Sequence, residues 1–255
     1  MKAIILAAGE GKRLRPLTDH QPKCMVPLWG KPILVHLFDA MNQIDLSRIV
    51  LVTGYKKDIL EENFNFENVV FHHNPAYDST NMVASLFCAE SEFDDDLIIS
   101  YSDIAYHANV LKQITQSPHD LSIVIDRRWR SLWELRMENP LNDAETLKLG
   151  EGGTIIELGQ KPLSYDDIQG QYIGLIKISK NALSTVSNMY HHLDRNMIFD
   201  KQNFANMYMT SFLQLLINSG VPAHAVFIDG GWVEVDSQAD LEMYANHPQL
   251  LNGIF

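Results

Sequence analysis

Residues Met1–Gly30 read MKAIILAAGEGKRLRPLTDHQPKCMVPLWG, and the rest of the chain is arranged around them. The apolar run Ala3–Ala8 has the composition of a buried strand and breaks into a loop holding Gly9 and Gly11. Glycine has no Cβ, so bare backbone N–H groups in such a loop can close on a phosphate. Arg13, Arg15 and Lys23 follow where the rest of a polyphosphate needs neutralising. Pro16, Pro22 and Pro27 keep the backbone between them out of regular helix. The stretch reads as a strand feeding an anion cradle for a nucleoside triphosphate, with Leu6, Ala8, Gly9 and Gly11 against the nucleotide.

Two familiar phosphate loops are excluded. A P-loop has four residues between its glycines and then Gly-Lys-Ser/Thr, whereas one residue separates Gly9 from Gly11. The dinucleotide fingerprint requires Gly or Ala at position 14, which is Leu14, and a helix directly afterwards.

Beyond the loop, strand and helix patterns alternate. Ala3–Leu6, Arg48–Thr53, Asn68–His72, Asp96–Tyr101 and Leu121–Ile125 read as buried strands. Ile33–Met41, Lys57–Asn63, Asn81–Ala89 and Asn109–Thr115 read as the helices between them. That alternation predicts an α/β fold with a doubly wound, mostly parallel, Rossmann-like sheet, whose ligands sit outside the carboxyl ends of the strands. The glycine loop, Gly54 and Asp103 all fall at those ends.

The second half changes character. Asp126–Lys148 is charged and aromatic without a clean period, and Thr154–Leu158 and Tyr172–Ile178 read as strands. Met209–Asn218 and Gln238–Tyr244 read as helices, and Ala225–Ile228 and Trp232–Val235 as strands paired with one another. No repeat or linker marks a second domain. The expectation is one domain over residues 1–255, with a nucleotide-binding half (1–125) and an acceptor-binding half (126–255) that supplies a smaller β-rich lid.

The formal charge of −12 argues against nucleic acid as a partner. Its distribution is more telling. Residues 1–31 hold six basic and two acidic side chains, so a local +4 sits on a body carrying −16, which suits a small anionic ligand. Two cysteines, Cys24 and Cys88, make no disulfide framework and fit a reducing compartment. The N-terminal apolar run is too short for a secretory segment and nothing approaches a membrane span, so a cytoplasmic enzyme is expected. His72–His73 and His191–His192 are adjacent pairs; neighbours in a strand point to opposite faces, so they read as structural.

The longer pattern LAAGEGKRLRPLT followed by PKCMVPLWGKPIL resembles the nucleotidyltransferases, which join a nucleoside monophosphate to a phosphorylated acceptor and release pyrophosphate. The resemblance implies the glycosyltransferase-A-like form of the α/β fold. An acceptor phosphate is already a nucleophile, so such a reaction asks for positioning and charge neutralisation rather than a strong base. The resemblance assigns Arg13 to the β- and γ-phosphates and Lys23 to the reacting centre. It gives Asp103 and Asp236 to Mg2+, with Glu234 in support; each Asp could instead be a helix N-cap, the weaker reading.

Asn81 and Ser85, in NPAYDSTNMVASLFCA, match a segment that reads pyrimidine and ribose in related cytidylyltransferases, and Ser102 stands beside Asp103. Thr80 and Asn81 could also simply cap the helix. Lys161, Tyr172 and Gly174 match acceptor-pocket elements, although Gln160 stands where the family's Glu-Lys-Pro has its Glu. For the acceptor, the cluster DRRWRSLWELR offers Arg127, Arg128 and Arg130 to a carboxylate and Trp129 or Trp133 as a shield. The same cluster reads equally as an amphipathic helix with its aromatics in the core.

YDSTNMV, NPLNDAETLKL, IIELGQK, QYIGLIKIS and NMYMTSFLQLLI narrow the resemblance to cytidylyltransferases of bacterial capsule phosphoramidate synthesis. That implies CTP and L-glutamine phosphate giving CDP-L-glutamine and pyrophosphate, with Mg2+. A phosphocholine, phosphonate or sugar 1-phosphate acceptor is the alternative. A non-catalytic nucleotide-binding relative would have lost Arg13, Lys23, Asp103 or Asp236, and all four are present.

Overall fold

Lys2–Ala7 (β1) is buried along its whole length, and its side chains alternate between two cores. Ala3, Ile5 and Ala7 pack in one core with Leu34, Leu37 and Met41, while Ile4 and Leu6 pack in the other with Val83 and Leu86. The two-residue period of a strand therefore places a helical layer on each face of the sheet. In this computed structural model, which describes residues 1–250, the remaining sheet strands are Arg48–Thr53 (β2), Val69–His73 (β3), Leu97–Tyr101 (β4), Leu121–Asp126, Gln171–Ile178 and Ala223–Ile228.

Between them lie Ile104–Tyr106 (β5), Leu147–Leu149 and Ile155–Leu158. In chain order Leu121–Asp126 is β6, Leu147–Leu149 β7, Ile155–Leu158 β8, Gln171–Ile178 β9, Ala223–Ile228 β10 and Trp232–Glu234 β11. The seven-stranded sheet has the order β10-β6-β9-β4-β1-β2-β3. Only β9 runs antiparallel to its neighbours; the other pairings are parallel. The α/β, doubly wound sheet expected from the sequence is what forms.

The helices are Ile33–Met41 (α1), Lys57–Asn63 (α2), Met82–Cys88 (α3), Ala108–Thr115 (α4), Trp129–Arg136 (α5), Lys180–His192 (α6), Met209–Asn218 (α7) and Gln238–Asn246 (α8). Within the aperiodic segment 126–148, α5 buries Trp129, Leu132 and Trp133, so of the two readings of this cluster the aromatic core is realised. The second half supplies β9 and β10 to the main sheet and the two-stranded ribbon β7–β8 beside it.

One pairing differs from expectation. β10 and β11 do not pair with each other: β10 lies parallel to β6 at the sheet edge, and β11 pairs antiparallel with β5. Asp126, at the end of β6, accepts from Gly230 N (2.9 Å) and Trp232 Nε1 (2.8 Å). With Gly230 and Gly231 at φ 84° and 81°, that anchor turns the chain across the sheet end instead of back on itself. The second histidine pair also differs, since His191 and His192 lie in helix α6 rather than a strand. His72 and His191 nevertheless serve structure, facing Glu92 (3.3 Å) and Glu90 (2.9 Å). Among the described residues no helix is long and apolar enough to cross a membrane.

Candidate active site

The carboxyl ends of β1 and β4 open on a cavity of about 800 Å3. The loop after β1 forms one side of it. Gly11 takes φ 63°, and a Cβ there would stand 2.8 Å from Lys23 Cβ, so glycine makes room for the lysine. The N–H groups of Gly9, Glu10 and Gly11 make no hydrogen bond within the described residues. They remain available to an anion.

Lys23 lies in a short 3-10 turn (Lys23–Met25) whose Cys24 is packed in the core, which fixes where its side chain starts. Its Nζ donates to Asp103 Oδ2 and Asp236 Oδ1, both at 2.7 Å. Burial works against the ammonium, but Asp103 and Asp236 hold its pKa well above the ordinary lysine range. Arg13, more exposed, donates to the same Asp236 oxygen at 2.8 Å.

Asp103 stands in the turn between β4 and β5, and neither it nor Asp236 is a helix cap. Ser237 caps α8 instead, in a capping box with Asp240. Asp240 also accepts from Asp236 N at 2.8 Å, so the cap fixes the backbone that presents Asp236. Asp103, Glu234 and Asp236 offer oxygens within 4.8 Å of one another. Asp103 Oδ1 is buried with no partner. An all-oxygen set with one acceptor left over is the chemistry a Mg2+ ion takes, so these residues fit such an ion.

Arg136, at the end of α5, was not singled out from the sequence. Its side chain is 2% exposed and donates to Glu234 (2.6 Å), Asp236 (3.2 Å) and Asp240 (2.9 Å). Trp129, Leu132, Trp133 and Arg136 recur at helical i, i+3, i+4, i+7 spacing, and that periodicity was the available signal. Burial pushes the Glu234 carboxyl up to about 8, with Asp236 adding repulsion and Arg136 opposing it. Burial also disfavours the charge of Asp236, yet Lys23, Arg13 and Arg136 outweigh it and keep that carboxyl low.

Gly9, Gly11, Arg13, Lys23, Asn81, Asp103, Tyr172, Gly174, Glu234 and Asp236 all line the cavity. Asn81 caps α3, accepting from Met82 N at 2.8 Å, and faces the cavity as well. Leu6, Ala8 and Ser102 are buried in the strand ends behind it, and Ser85 accepts a bond from Asn74 (2.9 Å) beneath α3. Three acceptor-site expectations fall elsewhere. Arg127 is exposed and paired with Asp229, Arg128 precedes α5 outside the cavity, and Lys161 Nζ donates to the Leu141 and Asn142 carbonyls. Because α5 turns its Trp129–Trp133–Arg136 face inward, Arg127 and Arg128 are left at the helix start, away from the site.

Residues 3–149 match the family model of the MobA-like NTP transferase domain. The chain is 47% identical over 250 residues to the CTP:phosphoglutamine cytidylyltransferase of Campylobacter jejuni, covering 95% of this chain and 98% of that one. It is 27% identical to the UTP–glucose-1-phosphate uridylyltransferase AglF of Haloferax volcanii, over 94% and 93% of the two chains. Among solved structures, the inositol-1-phosphate CTP transferase of T. maritima superposes with a TM-score of 0.75 at 20% identity, covering 99% and 95%, which supports the fold. The chain therefore belongs to the nucleotidyltransferase family.

Proposed function

We propose that this enzyme is a cytidylyltransferase that joins CTP to L-glutamine phosphate, giving CDP-L-glutamine and pyrophosphate. The convergence of Lys23 and Arg13 on Asp103 and Asp236, beside a loop with uncommitted N–H groups, carries the reaction type. The likeness to the Campylobacter enzyme supports the choice of nucleotide and acceptor. An oxygen of the acceptor phosphate attacks the α-phosphorus of CTP in line, and the bond to the departing pyrophosphate breaks.

Arg13 and the loop amides would take the β- and γ-phosphates, and Lys23, released from its carboxylates, the reacting phosphates. Asn81, which lines the cavity, would meet the nucleoside, with Ser85 in support. Mg2+, held by Asp103 and Asp236 with Glu234 in support, would supply Lewis-acid neutralisation of phosphate charge. We place the reaction in the cytoplasm, serving capsule polysaccharide modification.

The test is pyrophosphate release with each of the four NTPs against phosphoglutamine, phosphocholine, phosphoethanolamine and several sugar 1-phosphates. Turnover with CTP and phosphoglutamine is expected to lead. Activity confined to UTP or dTTP with a sugar would overturn nucleotide and acceptor while keeping the reaction type.

A further inference from the structure

The cavity is electrically two-ended. Lys12, Arg13 and Lys23 line it around the glycine loop, whereas the wall made by β9 and the segment before β7 presents Asp143 and Glu145. Gln171, itself buried, clamps the Glu145 backbone: its Oε1 accepts from Glu145 N (2.9 Å) and its Nε2 donates to Glu145 O (2.5 Å). Among the described residues the Glu145 side chain itself meets no donor. Among the described residues no lysine, arginine or histidine forms an ion pair with Asp143 or Glu145, and Lys161, near by, is spent on main-chain carbonyls.

Aromatic rings frame the carboxylates. Trp133 Nε1 donates to Asp143 (3.1 Å), and Tyr101 and Tyr172 stand edge-on with ring centres 5.7 Å apart. The Tyr172 hydroxyl is buried and, among the described residues, makes no hydrogen bond of ordinary geometry. A carboxylate whose backbone is clamped, which lacks a cation and which shares its cavity with Trp133, Tyr101 and Tyr172, is a receptor for an ammonium ion. Partial burial, with repulsion from Asp143 and Asp200, pushes the Glu145 carboxyl up to about 7, as for an acid shielded from water and missing its counter-ion.

We propose that Glu145, seconded by Asp143, is the residue that selects the acceptor, by receiving a protonated amine that the acceptor carries at a distance from its phosphate. This rests on the reading of the cavity as a nucleotidyl-transfer site, and it assigns the acceptor class as a phosphate monoester or phosphoramidate bearing an ammonium group. Phosphate and ammonium then meet opposite charges at the two ends of one cavity. A neutral sugar phosphate leaves the half-buried Glu145 unpaired.

The experiment compares matched acceptors with and without the amine: phosphoethanolamine against 2-hydroxyethyl phosphate, and phosphoglutamine against its analogue lacking the α-amino group. The kcat/KM ratio is read by pyrophosphate release and the Kd ratio by calorimetry. The wild type is expected to favour the amine-bearing member on the order of 10- to 100-fold. Glu145→Gln is expected to bring both ratios to within a few-fold of one, Glu145→Asp to keep much of the preference, and Asp143→Asn to lower it several-fold.

A wild-type ratio near one, or a ratio unmoved by Glu145→Gln, overturns the proposal. Should Glu145→Gln fail to fold by circular dichroism, an Asp143→Asn ratio equal to the wild type's overturns it instead. Failure of the cytidylyl reading looks different: turnover then requires another NTP, and the same ratios are measured with that nucleotide.

Discussion

Lys23 is the residue on which the site's electrostatics turn. Its ammonium bridges Asp103 and Asp236, so the carboxylates are neutralised before any substrate arrives. Asp103→Ala and Asp236→Ala each leave Lys23 one partner and are expected to fold normally by circular dichroism. Both should lose about 1,000-fold or more of pyrophosphate release. Undiminished turnover in either variant would remove that residue from the proposed metal site. Gly174 makes a different kind of demand. It takes φ 85° in β9, and a Cβ would stand 2.6 Å from the Tyr101 ring. Gly174→Ala is therefore expected to cost about 2 kcal/mol in urea unfolding and to raise the acceptor KM, because the ring it displaces lines the cavity.

Two elements carry predictions of their own. The Ser237–Asp240 capping box starts α8 and, through Asp240, ties the Asp236 backbone and Arg136. Ser237→Ala is expected to cost about 1 kcal/mol and to lower kcat more than it changes the KM for nucleotide, since the cap positions a carboxylate without meeting substrate. An unchanged kcat would make the cap purely structural. At the opposite end of the sheet, Glu92 gathers Lys2 of β1 (2.8 Å), Arg48 of β2 (3.0 Å) and His72 of β3 (3.3 Å). Burial works against its charge, but those partners hold the carboxyl down at about 2, against an ordinary value of 4.5.

A carboxyl depressed in the folded state contributes stability that is complete above pH 4.5 and lost as pH falls toward 2. Unfolding midpoints measured across that window should fall steeply in the wild type. Glu92→Gln should be less stable at neutral pH and show a shallower fall. Equal slopes for the two proteins would dissociate Glu92 from the acid response.

For the whole molecule, the expected consequence of this charge arrangement is that metal removal and unfolding separate. Lys23, Arg13 and Arg136 already pair with Asp103, Glu234 and Asp236, so the fold is expected not to depend on a bound cation. EDTA is expected to stop turnover while leaving the thermal midpoint where it was, with activity restored by excess Mg2+. A large drop in the midpoint on chelation would show instead that an ion is part of the folded structure.

Legibility followed the range of the physics. Apolar runs such as Ala3–Ala8 and Arg48–Thr53 specify strands locally, because their burial on both faces leaves few alternatives, and the fold class could be read from them. That Gly9, Gly11, Arg13 and Lys23 would line one cavity was legible for the same reason: they lie within one short stretch. The pairing of β11 with β5 was not, since it depends on Asp126 reaching Gly230 and Trp232, about a hundred positions away in sequence. Nor was the split of the arginines, in which Arg136 enters the carboxylate cluster and Arg127 and Arg128 remain outside it.

By itself, then, the sequence determined the alternating layers and the glycine-rich, basic character of the loop in the first thirty residues, because propensity, periodicity and local charge act over a few positions. Only the tertiary structure decided which distant carboxylates share Lys23 and which acid, Glu145, is left in the cavity without a cation. Pairing between charges depends on ångström separations that chain order does not encode.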